Sequence, residues 1–230
     1  MFAAVLIDGA YFVKRFRAIE PHNRDNGKRA AELAFRFACA HLVEKDHSRK
    51  FDLYRIFFYD CPPVAKKMHT PFAKQAVDFS KSVEAIFRAD LHKTLRMKRK
   101  VALRMGTLAH ADWSFKASVA SDLLKGKRKF DTLTDADVAL DLRQKGVDMR
   151  IGLDIASLAF KRQVSKIILM AGDADFVPAA KLARREGIDF VLDPMWQRIS
   201  HELNEHIDGL RSVCPRPVQH SRPEIGQNLG

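Results

Sequence analysis

The chain has 230 residues, 47% of them hydrophobic and 30% charged, which is typical of a folded domain and excludes a disordered chain. Its net charge of +12 favours a polyanionic partner, most commonly nucleic acid, although a basic protein without such a partner is the plain alternative. The three cysteines form neither a disulfide framework nor a zinc pattern, which favours a reducing cytoplasm, and no apolar run suits a signal peptide or membrane span.

Predicted strands and helices alternate along the chain. The apolar and β-branched runs predict strands at 3–7, 53–59, 100–105, 113–115, 166–170 and 188–192. The remaining periodic segments predict helices at 11–19, 29–43, 71–95, 134–144, 147–160, 176–186 and 199–210. This order predicts an α/β fold with three layers, in which helices cover both faces of a mostly parallel central sheet.

The domain organisation is predicted to be simple. Residues 1–212 form one domain, and the segment from about 61 to 130 is an inserted elaboration of it. Residues 213–230 carry several prolines and glycines and are predicted to be a disordered tail.

Carboxylates follow two of the predicted strands. Asp8 ends the first strand, and Asp173 and Asp175 follow the strand at 166–170. Because ligands of parallel sheets bind beyond the carboxyl ends of the strands, these side chains are expected to meet at one edge. Crowded carboxylates without basic partners favour a hard cation such as Mg²⁺ or Mn²⁺. Helix capping is the alternative for Asp173 or Asp175, but it accounts for only one of them.

Two further acids lie on the predicted helix at 147–160. Asp148 and Asp154 are six residues apart, which places them about 240° apart around an ideal helix, so they do not both point at one ion. Asp148 has an alternative role as an acid that interacts favourably with the helix dipole.

Basic residues are concentrated in two segments that precede the predicted helix at 147–160. As a nucleic-acid track we single out Lys93, Arg96, Lys98 and Arg99 in the first segment, with Lys127, Arg128 and Lys129 in the second. Lys145 is a separate candidate, because it stands beside the acids of the next helix. The alternative is that each basic run is simply a solvated face.

Several catalytic motifs are excluded. His201 and His206 are five residues apart, whereas a zinc protease helix requires a spacing of four. The chain has no phosphate-binding loop with a following Lys-Ser/Thr and no Gly-x-Ser-x-Gly elbow.

The arrangement of the acids resembles the NYN domain family, a branch of the PIN-like nucleases with a Rossmann-like fold. The likeness rests on Asp8-Gly9, on 145–148 (Lys-Gly-Val-Asp), on Asp154 and on 171–176 (Ala-Gly-Asp-Ala-Asp-Phe), with Asp60-Cys61-Pro62-Pro63 after the second strand. It spans residues 3–210. Two positions depart from the family pattern, since Ala10-Tyr11 replaces a frequent Asn and Ala171 replaces a frequent Ser.

The resemblance implies cleavage of RNA phosphodiester bonds with Mg²⁺ or Mn²⁺. It places the metal-binding acids at Asp8, Asp148, Asp173 and Asp175, with Asp154 as a fifth, and the first four are the candidate catalytic residues. One alternative is a catalytically weak or inactive nucleic-acid-binding regulator on the same fold. A second is a small-molecule phosphatase that uses Asp173-Ala174-Asp175. The sequence leaves open whether DNA is also cut and whether the protein is a homodimer.

Overall fold

A computed structural model describes residues 1–217, without the side chains of His110 and Ala111. The strands are β1 (Phe2–Asp8), β2 (Asp52–Asp60), β3 (Lys67–His69), β4 (Ala76–Asp78), β5 (Val101–Met105), β6 (Thr107–Phe115), β7 (Val138–Lys145), β8 (Lys166–Met170), β9 (Asp189–Asp193) and β10 (Gly209–Leu210). The α-helices are α1 (Gly9–Ile19), α2 (Gly27–Ala40), α3 (Val83–Arg96), α4 (Ala117–Leu124), α5 (Val147–Phe160), α6 (Val177–Arg185) and α7 (His201–Glu205).

The central sheet has six strands in the order β10-β9-β8-β1-β2-β5, and every neighbouring pair is parallel. Its middle strands β1 and β8 are almost wholly buried, as expected for apolar runs covered on both faces. One hydrophobic core lies under α1, α2 and α3, and a second lies under α5, α6 and α7. The predicted three-layer α/β/α architecture is confirmed.

An antiparallel ribbon, β6 paired with β7, extends from the end of β5. We call residues 107–145 the arm and the rest of the described chain the body. The Trp113 indole N–H donates to the His69 carbonyl at 2.9 Å, and the rings of Trp113 and Phe79 lie 5.9 Å apart. These contacts hold the arm against the body. Beside them, a cleft separates the arm from the body.

Parts of the predicted secondary structure are wrong in and around the arm. The helix predicted at 134–144 is mostly strand β7, and the correctly predicted strand at 113–115 is only the end of the longer β6, which pairs with β7. The predicted helix at 71–95 begins only at Val83, because the hairpin β3–β4 precedes it. Long-range pairing of the ribbon decides these segments.

The C-terminal region differs from the prediction in two places. The helix predicted at 199–210 is reduced to α7, and the short strand β10 follows it. Cys214, inside the predicted disordered tail, is buried, and its carbonyl accepts a hydrogen bond from the Trp196 indole at 2.6 Å. Residues 218–230 of that tail lie outside the described residues. Within residues 1–217, no helix combines the length and the apolar character needed to cross a bilayer.

The surroundings of two glycines predict opposite effects of an alanine substitution on stability. A β-carbon at Gly27 would lie 2.1 Å from the Phe87 carbonyl oxygen, whereas one at Gly152 would meet nothing within 4 Å. Gly27→Ala is expected to lower the free energy of unfolding by about 1 to 3 kcal/mol through overpacking between α2 and α3. Gly152→Ala is expected to raise it by up to about 1 kcal/mol, because glycine is unfavourable within a helix. Urea unfolding measures both, and equal effects would contradict this packing.

Candidate metal centre

Asp8 lies at the carboxyl end of β1 and caps α1, where its carboxylate accepts a hydrogen bond from the Tyr11 backbone N–H at 3.1 Å. The turn requires glycine next, because a β-carbon at Gly9 would lie 2.5 Å from the Tyr59 carbonyl oxygen. Burial raises the pKa of Asp8 to about 6, and the charges of Asp148 and Asp60 act in the same direction. Asp8 is therefore a carboxylate that lacks a compensating cation.

Asp173 and Asp175 follow β8 on an exposed turn. Asp173 caps the short 3-10 helix Ala174–Phe176, and its carboxylate accepts a hydrogen bond from the Asp175 N–H at 3.1 Å. Capping is therefore confirmed for Asp173, but it occupies one of the carboxylate oxygens and leaves the other open to a ligand. Asp175 makes no side-chain hydrogen bond within the described chain.

Asp148 reaches the same edge of the sheet from α5, which packs on the face opposite to α1. Gly146 turns the chain from the arm into α5 with a φ of 77°, a left-handed conformation that glycine adopts readily. Asp148 then lies in the first turn of α5. Its pKa is raised by desolvation and by the negative charges of Asp173 and Asp175, which shows that the three carboxylates are close enough to repel one another.

The topology brings these four acids, the acidic cluster, to one edge of the sheet. Strands β1 and β8 are parallel neighbours with Ile7 opposite Met170, so Asp8 and Asp173 emerge side by side. Asp8 and Asp173 line an open depression of about 570 Å³, together with Lys14. Within residues 1–217, none of the four acids has an ion-pair partner within 4.0 Å. The predicted convergence of carboxylates at this edge is present.

The chemistry of these side chains fits a hard divalent cation, because carboxylate oxygens are the ligands that Mg²⁺ and Mn²⁺ prefer. Their positions do not yet form a ligand shell. Among the described residues, no three His, Cys, Asp or Glu side chains are grouped closely enough to hold an ion. A metal at the acidic cluster would therefore require these side chains to come closer together.

Asp154 does not belong to the cluster, which corrects the prediction of a fifth metal ligand. Arg104 of β5 donates to both oxygens of its carboxylate, at 2.8 and 2.5 Å, and the Tyr59 hydroxyl donates to it at 2.8 Å. A carboxylate that is paired in this way has its charge compensated and its lone pairs occupied. Asp154 therefore fastens α5 to the sheet.

Two further strand-end acids were not singled out from the sequence. Asp60, at the end of β2, is fully buried, binds the Arg88 guanidinium and lies 2.8 Å from the His92 ring. Asp193, at the end of β9, is equally buried and lies 2.8 Å from the His41 ring. The partners of Asp60 had a visible signal, since Arg88 and His92 are four residues apart on one helix face.

The first basic segment is far from the acidic cluster, which corrects the predicted nucleic-acid track. Lys93 and Arg96 lie in the last turn of α3, and Lys98 and Arg99 lie in the turn that leads into β5. That turn enters β5 at its amino end, whereas the acidic cluster lies at the carboxyl edge of the sheet. The first basic segment therefore does not lie beside the acidic cluster.

The second basic segment lies at the tip of the arm. Arg128 donates to both oxygens of Asp137 at 2.7 Å, so its charge is engaged within the arm. Lys127 and Lys129 are exposed there. Lys145 is also exposed, has no ion pair among the described residues, and lies at the base of the arm three residues before Asp148.

Comparison with known protein families identifies the family of this chain. The NYN domain profile matches residues 58–209. The chain belongs to the NYN domain family. NYN domains are PIN-like, and the family is generally one of nucleases that act on nucleic acids.

Single proteins add little to the family assignment. A crystal structure of a protein of unknown function from Vibrio parahaemolyticus aligns with 92% of this chain and 92% of its own, at 14% identity and a TM-score of 0.41. No curated protein matches this NYN chain.

The raised pKa of Asp8 predicts a pH-dependent cost in stability. Between about pH 4 and 6 the folded chain binds a proton at Asp8 that the unfolded chain has released, so stability falls as the pH rises through this window. Asp8→Asn keeps the cap and removes the charge. At pH 7.5, with a chelator present to remove metal ions, Asp8→Asn is expected to raise the free energy of unfolding by about 2 kcal/mol.

The same variant is expected to gain little at pH 4, where Asp8 of the wild type is protonated. Urea unfolding at the two pH values measures the difference. A stabilisation of equal size at both pH values, or none at either, would show that Asp8 is not held as an uncompensated charge.

Proposed function

We propose that this NYN protein is a divalent-metal-dependent endoribonuclease that hydrolyses RNA phosphodiester bonds at the acidic cluster. The observation that carries the proposal is a difference among the aspartates near this edge of the sheet: some have their charge compensated by a basic side chain and others do not. Asp60, Asp154 and Asp193 are each paired with a basic side chain, whereas Asp8, Asp148, Asp173 and Asp175 have no such partner within residues 1–217. Unpaired carboxylates held together by a fold are costly for stability unless they serve a ligand.

The four acids of the cluster would hold Mg²⁺ or Mn²⁺. The bound ion would supply an activated water and stabilisation of the leaving oxygen in an in-line displacement at phosphorus. The net charge of +12 supports a polyanionic substrate.

The chain itself contributes positioning. Lys14 lines the depression beside Asp8 and Asp173, where its ammonium group can meet a phosphate oxygen. Asp8, whose pKa burial raises to about 6 before an ion is bound, would bind the metal as a carboxylate, so metal binding would weaken below about pH 6. The Tyr11 hydroxyl donates to the Pro194 carbonyl at 2.6 Å, so it fastens the wall of the depression and is not free to act as an acid.

The second candidate is a nucleic-acid-binding regulator with little or no catalytic activity. It is favoured by the absence of an assembled ligand shell among the described residues and by Tyr11 near the position where many family members have Asn. The same fold and charge would then bind RNA without cutting it.

Asp173→Asn is expected to reduce RNA cleavage at least about 100-fold, because the cluster loses one charged ligand without losing a helix cap. The assay incubates purified full-length chain with single-stranded and structured RNA in Mg²⁺ or Mn²⁺, and chelator is expected to abolish cleavage. Glu32→Gln, the same change of charge on the exposed surface of α2, is the matched control. Equal cleavage by wild type and Asp173→Asn would remove the assignment, and RNA binding without cleavage would favour the regulator.

Lys145→Ala is expected to weaken RNA binding and to lower the slope of log affinity against log salt by about 0.7, the value for one phosphate contact to a single strand. Arg99→Ala is the matched control, because Arg99 is equally exposed but lies at the amino end of β5. Filter binding across a range of salt concentrations measures both. An equal loss in the two variants would contradict the placement of RNA at the arm side of the cluster.

A further inference from the structure

A cleft of about 300 Å³ lies between the arm and the body. Leu108, Leu140 and Leu142 form its arm side, and Pro63 and Phe79 form part of its body side. Leu140 and Leu142 alternate with Ala139 and Asp141 along β7, so they share the face of the ribbon that is turned toward the body. Leu142 keeps 42% of its surface exposed, which is unusual for a leucine that faces a cleft.

The cleft adjoins the acidic cluster. Its lining includes Cys61, which directly follows Asp60. A β-carbon on Gly9 would lie 3.0 Å from the Asp60 β-carbon, so the chain after Asp8 touches the chain that leads into the cleft. Ligands of parallel α/β sheets bind in this position, outside the carboxyl ends of the strands.

The cleft has few polar groups, and they differ in how much of their hydrogen-bonding capacity is free. Glu84 and Arg88 bind each other at 2.7 Å, and Arg88 also binds Asp60, so their hydrogen-bonding capacity is largely used. The Gln144 side chain lines the cleft and makes no hydrogen bond within the described part of the chain. A free amide offers two donor hydrogens and a carbonyl acceptor, the groups that read the edge of a planar heterocycle.

We propose that the cleft between the arm and the body receives one unstacked base of an RNA strand, whose phosphate next to that base lies over the acidic cluster. The apolar walls contact the faces of the base, and Gln144 hydrogen-bonds to its edge. Proteins that read RNA sequence commonly take single bases out of the stack in this manner. This inference rests on the proposed nucleic-acid substrate and adds a base preference to it.

The surroundings favour a base over an apolar peptide as the occupant. Lys145 directly follows Gln144 and therefore lies on the opposite face of β7; it is exposed and has no ion pair among the described residues. The acidic cluster would accept a metal-bound phosphate, and Lys145 would contact a neighbouring one. An apolar cavity next to two phosphate positions matches a nucleotide within a strand, whereas an apolar peptide would leave both unused.

Synthetic heptamers test the base directly. Each has seven ribose phosphates and a single base, A, C, G or U, at the centre, and a fully abasic heptamer is the reference. Affinities for the full-length chain are measured by fluorescence anisotropy in chelator, so that no cleavage occurs. One of the four bases is expected to raise affinity at least about fivefold over the abasic reference, as stacking of a single base does.

Two variants locate that gain in the cleft. Leu142→Asp puts a carboxylate on the apolar wall, where it repels RNA and is expected to remove the gain, whereas Ala139→Asp adds the same charge to the other face of β7 and is expected to keep it. Gln144→Leu, at an exposed position where folding is not at risk, is expected to change or erase the preferred base. Circular dichroism and thermal melting confirm that each variant is folded.

The outcomes separate this inference from the proposed nuclease activity. No gain for any base, or a gain that survives both Leu142→Asp and Gln144→Leu, overturns the base-binding cleft even if the protein cleaves RNA. A gain that Leu142→Asp removes and Ala139→Asp keeps supports the cleft even if the cleavage assay finds no activity, in which case the regulator is the function that remains.

Discussion

Mutual repulsion of carboxylates at the carboxyl edge of the parallel sheet is the constraint on which the rest of the structure depends. Strands β1, β2 and β9 each end on an aspartate, and β8 is followed by Asp173. The fold buries two of these carboxylates against basic side chains, Asp60 against Arg88 and His92, and Asp193 against His41. Within residues 1–217 it gives Asp8 and Asp173 no ion-pair partner, and α5 adds a third acid without one.

The arm and the acidic cluster share one junction. At Gly106, an added β-carbon would lie 2.9 Å from each of the Cys61 sulfur, the Lys145 carbonyl oxygen and a Val147 methyl. The start of the arm, its return and the first turn of α5 are therefore packed on one another. The position of Asp148 therefore depends on how the arm packs at this junction.

Much of the body could be predicted from the sequence, because its strands are apolar runs that are buried whatever the details of packing. Strand 166–170 and helix 147–160 were predicted with their observed bounds. Strand β7 was missed although Leu140 and Leu142 alternate with Ala139 and Asp141, because only its pairing with β6 distinguishes it from a short helix. Local pattern is weak where long-range pairing decides the structure.

The acids of the site could be predicted from the sequence. Which of them are paired with basic side chains could not. Strand-end aspartates are visible in the sequence, whereas the choice between a structural and a free carboxylate depends on partners such as Arg104, fifty residues from Asp154. The distance of Arg99 from the cluster follows from a simpler rule. A parallel strand reached through a helix is entered at its amino end, so the residues just before β5 lie opposite the acidic edge.

Anomalous diffraction from crystals soaked in MnCl₂ measures most directly whether the uncompensated carboxylates form a metal site. The predicted result is a peak within about 2.0 to 2.6 Å of carboxylate oxygens of Asp8 and Asp173, absent from crystals of Asp173→Asn. A fully soaked crystal without a peak at the acidic cluster, or with its strongest peak elsewhere on the protein, would contradict it.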